Sequence, residues 1–230
     1  MNKKTVKDVE AREKKVLVRC DFNVPLKNGE VADDSRIRAA LPTIRYLMEQ
    51  RAAIALCSHL GRPKGKPSQD LSLRPVAKRL SRILEAEVKM TDDCIGERVK
   101  ATISEMQPGD IVLLENTRFH DGEKSNDARF AGELAKGFDL YVNDAFGSAH
   151  RAHASTEGVA RHLPSAAGLL IAREVDALTR LKENPKKPMA AIFGGAKISD
   201  KIGVIETFLD KTEVLLVGGG MANMFFKAKG

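Results

Sequence analysis

The sequence has 230 residues, 43% hydrophobic and 30% charged, enough apolar mass to bury a core in one or two domains and enough charge to keep them dissolved. A net charge of +7, with no Trp, two Tyr and no long Lys/Arg block, argues against a stacking platform for nucleic acid and favours small phosphorylated anions as partners. The chain opens without an apolar signal-like run and has no stretch long enough for a membrane span, so neither export nor a membrane partner is expected. In chain order, Val16, Leu17 and Val18 form a short apolar run with β-branched content, the mark of a buried strand expected over 15–20, and 37–50 read as an amphipathic helix. A second strand is expected over 53–58, and a helix over 73–85 with Ser72 as its N-cap. Short strands at 88–90 and, after the Pro108-Gly109-Asp110 turn, at 111–114 follow. Residues 128–137 then read as a helix closed by Gly137, and 140–144 as a further strand. Strands alternating with helices imply an α/β fold, a parallel sheet covered on both faces.

A long helix is expected over 171–183, stopped by Asn184-Pro185-Lys186-Lys187-Pro188, because each proline removes a donor and restricts the residue before it. Beyond it come a strand at 189–193, a helix at 198–209, a strand at 214–217 and a helix start at 221–226. This divides the chain into a lobe at 1–170, a connecting helix and linker at 171–187, and the start of a second lobe at 188–230. Cys20, Cys57 and Cys94 are widely spaced and odd in number, matching neither a zinc pattern nor a disulfide framework. Buried reduced thiols are the expectation.

Polar residues collect just after the expected strands. Asp21 and Asn23 follow the first, with Arg36 at the start of the next helix. Ser58-His59-Leu60-Gly61-Arg62-Pro63, Glu115-Asn116-Thr117-Arg118-Phe119-His120 and the segment from Asn143 to His153, containing Arg151, follow the others. In an open α/β sheet such positions face the ligand crevice. Arg36, His59, Arg62, Arg118 and Arg151 would then converge on one edge, where guanidinium forks suit a doubly anionic ligand. A turn rich in Asp and Asn beside a solvated Arg would explain the first segment alone equally well. His59 reads as an anion-contacting or hydrogen-bonding residue, and His162 as structural or exposed. His150 and His153 are three apart but lack a third-ligand pattern.

In the second unit, Gly194-Gly195-Ala196-Lys197-Ile198-Ser199-Asp200-Lys201 follows a strand and opens a helix. Its glycines let backbone N–H groups approach phosphate oxygens, and Lys197 and Lys201 lie one helical turn apart. Gly218, Gly219 and Gly220 end the next strand, where an adenine ring could lie against bare backbone. Glycines at strand-to-helix turns are also ordinary structure.

Taken together, Val-Arg-Cys-Asp-Phe-Asn-Val-Pro, Ser-His-Leu-Gly-Arg-Pro, Leu-Leu-Glu-Asn-Thr-Arg-Phe-His, Asn-Asp-Ala-Phe-Gly-Ser-Ala-His-Arg-Ala-His, Gly-Gly-Ala-Lys-Ile-Ser-Asp-Lys and Val-Gly-Gly-Gly-Met-Ala resemble phosphoglycerate kinase, in that family's order and spacing. The resemblance implies two Rossmann-like lobes that close on their ligands, and a cytoplasmic, monomeric enzyme of glycolysis. It would transfer a phosphoryl group between 1,3-bisphosphoglycerate and ADP, giving 3-phosphoglycerate and ATP. By motif, Asp21, Asn23, Arg36, His59, Arg62, Arg118 and Arg151 would hold 3-phosphoglycerate, with Arg62, Arg118 and Arg151 on its phosphate and Arg36 at the reacting carboxylate. Gly195, Lys197, Lys201, Gly218, Gly219 and Gly220 would border ADP or ATP, whose Mg2+ is the implied cofactor; Arg36 and Lys197 would be the catalytic pair. The family's magnesium-ligating Asp and ribose-contacting Glu have no counterpart here, so no metal ligand is expected and the second lobe reads as incomplete. The chain is accordingly expected to bind 3-phosphoglycerate with little or no turnover. A non-catalytic anion-binding module is the competing reading.

Overall fold

The computed structural model describes residues 3–195 and 201–230. It divides into two compact units, Asn2–Glu174 and Val175–Gly230. The larger is built on a six-stranded sheet of β1 (Lys15–Arg19), β4 (Ala53–Cys57), β5 (Lys89–Met90), β6 (Ile111–Leu113), β7 (Leu140–Asn143) and β8 (Ser165–Ala167). Strand order is β5-β6-β4-β1-β7-β8 and every pairing is parallel. A two-stranded antiparallel hairpin, β2 (Leu26–Lys27) with β3 (Glu30–Val31), sits outside this sheet.

Sequence runs without polar alternation belong to strands buried on both faces. In β4 all five residues are buried: Ile54 and Leu56 enter one core, and Ala53, Ala55 and Cys57 the other. β1 divides likewise, with Val16 and Val18 on the first side and Leu17 on the second. The first core is closed by α1 (Ser35–Glu49) and α2 (Arg74–Leu84) through Ile37, Ile44, Val76 and Leu80. The second is closed by α3 (Glu97–Glu105) and α5 (Ala128–Ala135) through Val99, Ile103, Phe130 and Leu134. A short α4 (Asp121–Ser125) precedes α5.

Several expected boundaries move for local reasons. α1 begins at Ser35 rather than 37, so Arg36 lies in its first turn. Leu73, not Ser72, is the N-cap of α2; the Ser72 hydroxyl accepts from Arg74 N at 3.2 Å and donates to the buried Glu115 carboxylate at 2.6 Å. α6 (Leu169–Glu183) begins two residues before the expected 171, because Asp144 Oδ1 accepts from Leu170 N at 2.9 Å and Thr43 Oγ1 from Leu169 N at 2.8 Å.

In Val175–Gly230, β9 (Ala190–Gly194) and β10 (Val214–Gly218) pair in parallel, with Gly194 opposite Gly218. α7 (Ile202–Leu209) and α8 (Gly220–Lys229) follow them. Both strands alternate between exposed and half-buried residues, and large apolar side chains such as Ile192 (79% exposed) and Phe226 (69%) meet solvent.

Candidate functional site

β6, β4, β1 and β7 are consecutive in the sheet, so the segments leaving their carboxyl ends share one edge. The chain goes from β1 to β4 on one side and from β7 to β8 on the other, placing the topological switch point, where α/β sheets open a crevice, between β1 and β7. The expected residues from Asp21 to Arg151 all belong to these segments.

Arg36 Nη1 donates to Asp21 Oδ2 at 2.6 Å; Asp21 is 11% exposed at its side chain and Arg36 51%, so the pair fixes one arm of the fork and leaves the remainder open. Gly147, after β7, passes so close that a Cβ there would collide with Asp21 Oδ2. Asn23 Oδ1 accepts from Gly61 N at 2.8 Å, and Gly61 O accepts from Arg118 Nη1 at 2.9 Å. The turn between these partners needs φ +61 at Gly61, and a Cβ would lie 2.6 Å from Leu71 Cδ2. Buried Asn116 ties the same loops together, its Oδ1 accepting from Leu60 N and Arg118 N and its Nδ2 donating to Leu60 O and Leu71 O. Its own amide N–H donates to Glu115 Oε1.

His59 is 5% exposed and its Nδ1 lies 3.0 Å from Nη2 of Arg19, the wholly buried last residue of β1. Burial pushes the His59 imidazole down to about 2, helped by the positive charges of Arg19, Arg118 and Arg151. The Arg118 guanidinium is likewise lowered, first by burial and then by Arg151, Arg19 and Arg62, and its Nε is buried without a hydrogen-bond partner. Arg62 and Arg151 are exposed. The edge thus concentrates positive charge, with Asp21 paired to Arg36 and Glu123 joined to Arg19 through a serine. His59 is thus held against Arg19 with its imidazole biased to the neutral form.

Asp144, buried at the end of β7, is the counterpart of opposite sign. Burial pushes its carboxyl up to about 6, against the lowering effect of the α6 N–H groups, and Oδ2 has no partner. Between the ordinary carboxyl value and about 6 the folded chain holds a proton at Asp144 that the unfolded chain lacks, so this group costs stability as pH rises. Between about 2 and the ordinary imidazole value the unfolded chain holds a proton that folded His59 refuses, so this group adds stability as pH rises. Each slope is about 1.4 kcal/mol per pH unit, and from about pH 4 to about pH 6 they oppose. Asp144→Asn keeps an acceptor for Leu170 N but removes the titration. The stability of the variant is therefore expected to rise more steeply with pH across that window than that of the parent; two parallel curves from thermal unfolding would refute the assignment.

The three cysteines are buried, and burial raises every thiol well out of the reactive range. His162 is exposed, and exposed His150 accepts from Arg151 Nε at 3.2 Å. Asp93, Cys94 and His120, not singled out from the sequence, place three ligand atoms within 4.8 Å of one another. Asp93 Oδ1 already accepts from Cys94 N and meets His120 Nε2, each at 2.6 Å, and the Cys94 thiol is held protonated. This is a hydrogen-bonded corner whose donors are spoken for. Sequence reasoning also missed Arg19, Glu123 and Ser155; a charged residue between apolar Val18 and Cys20 was the available signal for the first.

In the smaller unit the parallel ends of β9 and β10 bring Gly194 and Gly195 beside Gly218 and Gly219, and a Cβ on Gly195 or Gly218 would meet nothing within 4 Å. That open strip of backbone suits a flat ring, and Gly220 opens α8 beside it. Lys201 is exposed and forms the N-cap of α7. Lys197 lies outside the described residues.

These features define an α/β protein with an arginine-rich edge on its large, Rossmann-like parallel sheet and a glycine-lined edge on a second, smaller one. A family model described as phosphoglycerate kinase matches residues 6–230. The chain is 58% identical over 231 residues to phosphoglycerate kinase of Desulforudis audaxviator, covering all of this chain and 59% of the relative, and 54% identical over 230 residues to that of Pelotomaculum thermopropionicum, covering 58%. Its fold matches the phosphoglycerate kinase structure from Coxiella burnetii with a TM-score of 0.86 at 44% identity, over 99% of this chain and 57% of the other. The structure from Pyrococcus horikoshii matches at 0.84 with 35% identity, over 98% and 57%. The chain belongs to the phosphoglycerate kinase family, and spans somewhat under three fifths of the length of these relatives.

Proposed function

We propose that the chain serves phosphoryl transfer between 1,3-bisphosphoglycerate and ADP, giving 3-phosphoglycerate and ATP, and that residues 1–170 supply the 3-phosphoglycerate site. The observation that carries this is the arginine-rich edge, where Arg118 is buried with an unpartnered Nε and is lowered first by that burial and then by its neighbouring arginines. A phosphate dianion would balance that field. Arg62, Arg118 and Arg151 take the phosphate in this reading, and Asp21, Asn23 and neutral His59 take the hydroxyl and carboxylate oxygens. Arg36, held at one arm by Asp21, faces the carboxylate that attacks. A carboxylate is ionised at neutral pH, so the step needs no general base. It needs the nucleophile in line with the phosphorus and positive charge on the oxygens between them.

Residues 188–230 contribute to ADP or ATP in the same reading. Gly195, Gly218, Gly219 and Gly220 border the adenosine, and Lys197 and Lys201 the phosphates. Mg2+ arrives with the nucleotide and neutralises phosphate charge, and none of the residues given these roles is a ligand for it. The same reading carries a monomeric state, a cytoplasmic setting and a place in glycolysis. No helix among the described residues is long and apolar enough to cross a membrane.

Calorimetric titration tests the substrate site. The chain should bind 3-phosphoglycerate, bind glycerate far more weakly, and lose affinity about tenfold in Arg62→Ala, the change expected for one exposed charge-assisted contact. A folded chain that does not distinguish 3-phosphoglycerate from glycerate would overturn the proposal.

A further inference from the structure

Arg19 is buried where β1 leaves the sheet, opposite Cys57 of β4 and Asn143 of β7. Its guanidinium has three partners: Nε donates to Ser155 Oγ at 2.7 Å, Nη1 to Cys20 O, and Nη2 meets His59 Nδ1 at 3.0 Å. Ser155 is wholly buried and gives Glu123 two bonds, from Oγ to Oε1 at 2.6 Å and from its backbone N–H to Oε2 at 2.9 Å. Tyr141 Oη fixes the serine from the other side by donating to its carbonyl at 2.6 Å.

The proton order along this chain of contacts has one solution. A guanidinium only donates and an ionised carboxylate only accepts. Ser155 Oγ must accept from Arg19, so its single hydrogen points to Glu123. His59 Nδ1 must accept from Arg19, so its proton sits on Nε2, which has no protein partner among the described residues. Around His59 stand Arg19, Arg118, Arg151 and His153, all of which disfavour its charged form. The His153 Nδ1 atom is 3.9 Å from Glu123 Oε1, too far to take over the carboxylate.

We propose that Glu123 and Ser155 are positioning residues that orient Arg19 and thereby hold His59 as a neutral Nε2–H donor facing the anion crevice. Each acts on His59 from two or three contacts away, through groups whose donor and acceptor roles it dictates. The ligand half of the inference rests on the 3-phosphoglycerate site proposed above, whereas the imidazole half is a property of the unliganded chain.

The test is a long-range proton–nitrogen correlation spectrum of the His59 ring, recorded without ligand from about pH 8 to about pH 5, where an unrestrained histidine would titrate. The parent should show one neutral tautomer, protonated at Nε2 throughout. Ser155→Ala, which keeps the backbone bond to Glu123 and removes the hydroxyl that joins Glu123 to Arg19, should show mixed tautomers and a titration that moves into the window. Glu123→Gln should move the same way. In both variants affinity for 3-phosphoglycerate should fall about tenfold. A parent ring protonated at Nδ1, or titrating ordinarily, would overturn the proposal without any variant, as would a folded variant of either kind with an unchanged ring. If the parent ring behaves as stated but 3-phosphoglycerate does not bind, the substrate assignment fails and the positioning chain stands.

Discussion

Arg118→Met is expected to bind 3-phosphoglycerate about 10- to 100-fold more weakly than the parent while unfolding at about the same temperature. The loss follows from removing charge-assisted hydrogen bonds to a phosphate in a largely desolvated place. The unchanged stability follows from what Arg118 costs the empty crevice. Its cation is 5% exposed, its Nε lacks a partner, and Arg151, Arg19 and Arg62 all act against its charge. Methionine fills similar volume without that repulsion, which offsets the single lost bond to Gly61 O. Inorganic phosphate provides a second readout through linkage: at a given concentration it should raise the melting temperature of the parent more than that of the variant. A variant that melts far below the parent and still binds normally would show that Arg118 is a structural residue.

The fold was legible because its strands are buried on both faces. Runs such as Ala53–Cys57 have no polar alternation, and the polar residues that follow them could only be strand ends. What stayed hidden depends on tertiary partners. The two-residue β2 and β3 carry too little pattern to read, and α3 opens at Gly96 without a side-chain cap. The start of α6 is set by Asp144 and Thr43, which are 26 and 126 residues away in sequence from the amides they accept. The site divides in the same way. Arginines and glycines after strands announce themselves by type and position. Arg19 lies inside an apolar run, Glu123 in an ordinary acidic helix start, and Ser155 among small residues. Their importance comes from mutual contacts at sequence separations of 136 and 32, which no local pattern encodes.

Arg19→Met should lower the stability of the Asn2–Glu174 unit by about 3–5 kcal/mol, the cost of breaking a buried ionic arrangement from one side. Three acceptors would lose their donor at once: Ser155 Oγ, His59 Nδ1 and Cys20 O. Glu123 would keep both oxygens on Ser155 but lose the cation beyond that serine. For a chain of this size the change corresponds to a fall of about 10 °C in Tm. The double variant Arg19→Met/Glu123→Gln separates charge from packing. With both charges gone the desolvation penalty on each disappears, and replacing buried ion pairs by neutral groups is often neutral or stabilising. The double variant should therefore be more stable than Arg19→Met alone, by a coupling of about 1–3 kcal/mol between residues that never touch. Thermal unfolding of the parent, both single variants and the pair closes this cycle. Strict additivity would mean that Ser155 insulates the two charges instead of linking them, and that the buried arginine is held by its neutral partners alone.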